Sequence, residues 1–200
     1  MKYKAIGFDY GGVIIGIPSS EFSNKVVKIL DVTPEIYNSA YFNNNHLFNH
    51  NILSRNDFWA KVLKEMNRSD KLDNLLKFLD SLNQNELNNK VLDLAKQLKD
   101  RGYKIGILSN NNIEAVEKMK TLGLMELFDV VVVSAEIGFS KPDPKAFDLF
   151  INQLNISPAE LIFIDDTEKS LESSEKVGFY PILYNKFDKL RDTLATLGVI

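Results

Sequence analysis

Five short apolar runs that do not alternate with polar residues set the strongest limit on how this chain can fold. They are residues 5–8 (Ala5-Ile6-Gly7-Phe8), 104–108, 129–133, 161–164 and the shorter 181–183. A strand with one wet face shows alternation, whereas an unbroken apolar run suits a strand covered on both faces. Helical spacing fills the gaps between the later runs. Leu87, Val91, Leu94, Ala95 and Leu98 recur on one face, with Gly102 just beyond; a second helix runs from about Ile113 to Gly123, and a third from about Thr167 to Gly178. Pro144 and Ser157-Pro158 are natural helix starts. Strand and helix alternating in this way predict right-handed crossovers and an α/β class, with a parallel sheet sandwiched by helices.

The interval 18–85 breaks that rhythm. It has helical signatures (Phe22, Val26, Ile29 and Leu30; Leu72, Leu75, Leu76 and Leu79) and no convincing strand. Ser54-Arg55-Asn56-Asp57 ahead of Phe58-Trp59 resembles a capping box with Asp in place of Glu. The asparagine-rich stretch from Asn43 to Asn51, which carries His46 and His50, reads as irregular. The expected organisation is a core from residues 1–17 and 86–200, with an all-helical unit, 18–85, inserted after the first strand.

Charge and cysteine content exclude several kinds of chemistry. Twenty-four basic against 27 acidic side chains leave a net charge of −3, without basic clusters, so nucleic acid and anionic membrane are not expected partners. No apolar run approaches a bilayer span, and Asp9 interrupts the amino-terminal segment before a secretory core could form. A cytoplasmic location is the simplest expectation. With no cysteine there is no thiolate metal site or thiol nucleophile, and two histidines confined to the insertion do not suit a serine-hydrolase triad.

In an open parallel sheet, ligands bind beyond the carboxyl ends of the strands. The residues found there are Asp9-Tyr10-Gly11-Gly12 after the first, Ser109-Asn110 after the second, Lys141-Pro142-Asp143-Pro144 beyond the third and Asp165-Asp166-Thr167 after the fourth. Three carboxylates at one edge repel one another, and a hard divalent cation such as Mg²⁺ relieves that repulsion. Ser109 and Asn110, placed where a helix should begin, offer a hydroxyl, an amide and main-chain N–H groups to an anion. Lys141 adds positive charge. A cation site, an anion cradle and a carboxylate nucleophile together point to phosphoryl transfer through an aspartyl-phosphate.

These four segments resemble, in order and spacing, the four motifs of the haloacid dehalogenase-like hydrolase superfamily, over nearly the whole chain. The resemblance implies a Rossmann-like core with a small helical cap at the insertion. It makes Asp9 the nucleophile, Ser109 and Asn110 phosphate ligands and Lys141 the charge stabiliser. Mg²⁺ would be held by Asp9, the main-chain oxygen of Gly11 and Asp166, with Asp165 acting through water. The implied substrate is a small phosphorylated metabolite, and nothing in the sequence fixes the oligomeric state. One position departs from the pattern. Phosphatases of the family carry an acid–base Asp two residues after the nucleophile, where this chain has Gly11; first motifs of the type Phe-Asp-x-Gly-x-Val occur in a branch that resembles sugar-phosphate phosphatases. Dehalogenases carry an aromatic residue at that same position, and Tyr10 lies one residue too early, which disfavours dehalogenation.

The loss of the acid leaves rival expectations open: a binding or scaffold protein that keeps the fold, or a phosphomutase. His46, His50 or Tyr10 are candidates to supply the missing proton, although solvated or structural histidines are the simpler reading of the pair. Trp59 and Phe58 are expected in the core of the insertion.

Overall fold

The computed structural model describes residues 2–82 and 86–200. Five strands form one fully parallel sheet in the order β3-β2-β1-β4-β5: β1 (Ala5–Phe8), β2 (Lys104–Ser109), β3 (Val130–Val133), β4 (Leu161–Asp165) and β5 (Tyr180–Leu183). Every residue of β1 and β4 is buried, as unbroken apolar runs require. The central strand is the first in sequence, so the chain reverses its direction of winding at β1. Ligands of such sheets bind at that reversal.

Between β1 and β2 lie α1 (Ser19–Leu30), α2 (Pro34–Asn49), α3 (Arg55–Glu65), a 3₁₀ turn, α4 (Leu72–Ser81) and α5 (Asn89–Asp100). After β2 come α6 (Ile113–Thr121) and α7 (Leu124–Leu127); after β3, α8 (Ser134–Ile137) and α9 (Pro144–Leu154); after β4, a 3₁₀ turn and α10 (Ser174–Val177); after β5, α11 (Phe187–Thr196). Apolar residues collect in three clusters. Val91, Leu98, Met119 and Leu194 pack on one face of the sheet with Ile6, Phe8 and Ile105. Phe147, Phe150 and Phe163 pack on the other. Val26, Leu30, Tyr37, Phe58, Trp59, Val62 and Leu75 form a separate cluster among α1–α4, so the insertion carries its own core. We take the unit 18–85 as the cap of this core, although its last residue, Asn85, falls outside the described residues.

Four local expectations are corrected. The stretch Asn43 to Asn51 is mostly helical, because α2 runs through Asn49. Glu65 of α3 engages two of its amides: Asn43 Nδ2 donates to Oε1 at 3.0 Å and Asn44 Nδ2 to Oε2 at 2.7 Å, while Asn44 Nδ2 also donates back along the helix to Ala40 O at 2.7 Å. Leu87 lies before α5 and forms an antiparallel bridge with Ile15; Asn88 begins the helix, accepting from the Val91 N–H at 3.4 Å while its amide donates to Val13 O and Tyr184 Oη. The segment 167–178 is not one helix but a 3₁₀ turn, Glu168–Leu171, followed by the short α10. There the Asp165 carboxylate accepts from the Thr167 N–H at 2.8 Å, a side-chain bond that offers the backbone an alternative to the helix. At Ser54 the cap is present (Asp57 N–H to Oγ, 3.2 Å), but the Ser54 hydroxyl donates back to the Asp57 carboxylate at 2.7 Å instead of completing the reciprocal main-chain bond.

Candidate active site

All four motif segments converge at the carboxyl edge of the sheet. Asp9 follows β1 directly, with its N–H bonded to Ile164 O at 2.8 Å, and Asp165 ends the neighbouring β4. The parallel pairing of these two strands sets their carboxylates side by side. Lys141 reaches both from the β3–α9 connection: its Nζ lies 2.7 Å from Asp9 Oδ1 and 2.5 Å from Asp165 Oδ2, with its side chain 1% exposed. Asp166 is also buried and accepts a hydrogen bond from the N–H of Ser19, the first residue of α1. Gly12 permits that approach. Its φ is +71°, and a Cβ there would overlap the Asp166 carboxylate.

Ser109, at the end of β2, is buried, and it lines the same cavity as Asn110, Asp9, Gly11 and Lys141. Neither residue caps α6, because that position belongs to Asn112, whose side chain accepts from the Ala115 N–H at 3.1 Å. The Asn110 side chain is otherwise engaged. Its Nδ2 donates to Lys141 O and its Oδ1 accepts from Lys141 N–H, both at 2.7 Å, so it splints the backbone that carries the ammonium.

Lys141 pairs with Asp9 and Asp165 only, with Asp166 close beside them, and the surplus negative charge shows in the protonation of Asp9 and Asp166. Burial pushes Asp9 up to about 8, with Asp165 and Asp166 adding to the rise and Lys141 opposing it. Burial and the Asp165 charge push Asp166 up to about 6, against the hydrogen bonds from Ser19. For Lys141, burial disfavours the charge, but Asp165 and Asp9 outweigh it and hold the ammonium above the ordinary lysine range. Carboxylate oxygens of Asp9, Asp165 and Asp166 lie within 4.8 Å of one another, and the Gly11 carbonyl accepts no main-chain hydrogen bond among the described residues. A crowded set of hard oxygen donors carrying surplus negative charge fits a small divalent cation.

The insertion roofs this site. A cavity of about 420 Å³ is floored by Asp9, Ser109 and Lys141 and walled by α2, which presents Asn38, Tyr41, Phe42, Asn45, His46 and Asn49. His50, one residue past α2, meets Ser140 Oγ at 3.1 Å, and the Lys169 ammonium sits 5.2 Å from the centre of the Phe42 ring. Tyr10 does not line the cavity; it is buried in the sheet core. Phe58 and Trp59 lie in the cap core as expected. Apart from His46, the α2 wall, Ser19 and Lys169 are not among the candidates that the sequence offers. The 3.6-residue spacing of Asn38, Tyr41, Phe42, Asn45 and Asn49 was the available signal, hidden because the stretch reads as irregular.

The fold and site define a parallel α/β core with a helical insertion and an acidic cluster at the winding reversal. A model of haloacid dehalogenase-like hydrolases matches residues 3–178, and the chain belongs to that family. It is 32% identical over 111 residues to a phosphatase of Mycobacterium tuberculosis, covering 52% of this chain and 51% of that one. It is 31% identical over 94 residues to a glyceraldehyde 3-phosphate phosphatase of Methanopyrus kandleri, covering 46% and 40%. The chain thus spans about half or less of the length of these relatives. A HAD-like hydrolase structure from Porphyromonas gingivalis superposes with a TM-score of 0.64 at 21% identity, over 98% of both chains, and shares the fold.

Proposed function

We propose that the protein is a Mg²⁺-dependent phosphatase acting on a small phosphorylated metabolite, a sugar phosphate being the favoured class, with Asp9 as nucleophile. The observation that carries this reading is the buried cluster of Asp9, Asp165, Asp166 and Lys141 under a roofed cavity. The phosphatase relatives support the reaction class, and the triose-phosphate relative supports the substrate class. The α2 wall supports it too: Asn38, Asn45 and Asn49 are neutral hydrogen-bonding groups suited to hydroxyls.

Asp9, the Gly11 carbonyl and Asp166 would hold Mg²⁺, with Asp165 in reach through water. When bound, the ion supplies positive charge for the phosphoryl oxygens and keeps Asp9 ionised. The Asp9 carboxylate then attacks phosphorus in line, while Lys141 and the Ser109 hydroxyl bind the equatorial oxygens. Asn110 contributes through its main-chain N–H and by holding Lys141. Water hydrolyses the aspartyl-phosphate, and the cap keeps bulk solvent away from that ester.

The test is turnover of p-nitrophenyl phosphate and a panel of phosphorylated metabolites with and without Mg²⁺. Activity that requires the ion and vanishes in Asp9→Asn is expected. Phosphate binding with no turnover of any ester refutes the reading and favours the scaffold, whose motivation is Gly11. Product analysis separates hydrolysis from phosphomutase or dehalogenase chemistry.

A further inference from the structure

An alkyl phosphate is hydrolysed quickly only if a proton reaches the departing oxygen, since an alkoxide leaves poorly at neutral pH. Few groups in the cavity are free to supply one. Lys141 is committed to Asp9 and Asp165. Tyr37 is buried and hydrogen-bonded to Ser23. His46 is exposed, and Lys169 lies over the Phe42 ring.

Tyr41 differs from all of these. It lines the cavity together with Asp9 and Gly11, and its hydroxyl makes no hydrogen bond to any described residue. Its ring is wedged among Tyr37, Phe42, Phe58 and Trp59, with centroids 5.4–5.9 Å away, so the hydroxyl has a fixed position. A Cβ placed on Gly11 meets nothing within 4 Å, so room remains beside Asp9 for a leaving group to meet a donor from the cap.

We propose that Tyr41 is the proton donor to the leaving-group oxygen, an assignment that rests on the phosphatase reading above. As the Asp9 oxygen bonds to phosphorus, the bond from phosphorus to the leaving oxygen breaks, and that oxygen takes the Tyr41 proton and departs as an alcohol. The tyrosinate then takes a proton from the water that attacks the aspartyl-phosphate. Asp9 is released as carboxylate, phosphate leaves, and the hydroxyl is restored. Burial first, then Asp166 and Asp9, push the Tyr41 hydroxyl up to about 12, so it enters the cycle protonated.

The test is Tyr41→Phe, which keeps the ring and removes only the hydroxyl. With Mg²⁺, kcat is compared for glycerol 1-phosphate, whose leaving group needs a proton, and p-nitrophenyl phosphate, whose leaving group needs little help. The alkyl ester should lose roughly 10²–10⁴-fold, at least ten times more than the aryl ester. An equal loss on both marks a structural role and overturns the proposal, as does no loss on either. Should the variant fail to fold, wild type decides: rates over a series of esters should change little with leaving-group acidity, and a steep dependence overturns the proposal. A wild type inactive on both esters refutes the phosphatase reading and this assignment together, whereas an active one with an equal response refutes this assignment alone.

Discussion

Replacing Gly12 by alanine separates two costs that the structure places at one residue. The backbone there is left-handed, with φ +71°, a region that costs a residue bearing Cβ about 1–2 kcal/mol. The added Cβ would also overlap Asp166 Oδ2, lying 2.6 Å from its Cγ and 3.1 Å from Pro18 Cα. The overlap is relieved only by moving the carboxylate and giving up the hydrogen bond from Ser19 N–H. A bond of that kind, with a charged acceptor, contributes about 1.5–3 kcal/mol. The summed loss for Gly12→Ala is about 2.5–5 kcal/mol. Gly16 supplies the control, because its φ is +76° but a Cβ there meets nothing within 4 Å. Gly16→Ala should therefore show the conformational cost alone. For a chain of this length, 1 kcal/mol moves Tm by about 2–4 °C, so Gly12→Ala should melt about 3–12 °C below Gly16→Ala. Calorimetry of the three metal-free proteins reads that gap directly. Equal melting temperatures would show that Asp166 is not held against Gly12, and the acidic cluster described above would lose one member.

Lys141→Met leaves Asp9 and Asp165 without their ammonium; the expected loss is about 3–5 kcal/mol by chemical denaturation, with Mg²⁺ restoring part of it. Asp9 at about 8 and Asp166 at about 6 both titrate above the ordinary carboxylate range, so the folded metal-free protein holds protons that the unfolded chain releases. The stability tied to these protons is complete below about pH 4 and falls as pH rises through 6 and 8. Because Mg²⁺ needs both groups ionised, melts with and without the ion should diverge more at pH 8 than at pH 5.5. Asn88→Ala removes the cap of α5 and the bonds to Val13 O and Tyr184 Oη together, and should cost about 2–3 kcal/mol in a denaturant titration.

The sheet and the acidic cluster were legible in the sequence for one reason: their residues follow directly on apolar runs whose burial is written in composition. Asp9 and Asp165 lie at strand ends, and strand ends in a parallel sheet converge. What was not legible depends on partners distant in sequence. Nothing near Asn44 announces that Glu65 will engage its amide, so the helix through Asn49, and with it the wall that carries Tyr41, reads as irregular. Leu87 has helical spacing to Val91 yet pairs with Ile15, a partner far away in sequence. Asn110 reads as an anion ligand, and only the position of the loop bearing Lys141 shows that its side chain is spent on that loop. Local pattern thus gives the scaffold, while side-chain roles are decided by what the fold brings opposite.

The bond between His50 and Ser140 joins the end of the roof to the residue beside Lys141. Any swing of α2 away from the sheet must break it, while the two bonds from the Asn110 side chain still hold the Lys141 backbone. On the phosphatase reading proposed above, raising the roof would let product go without dismantling the charge clamp beneath it.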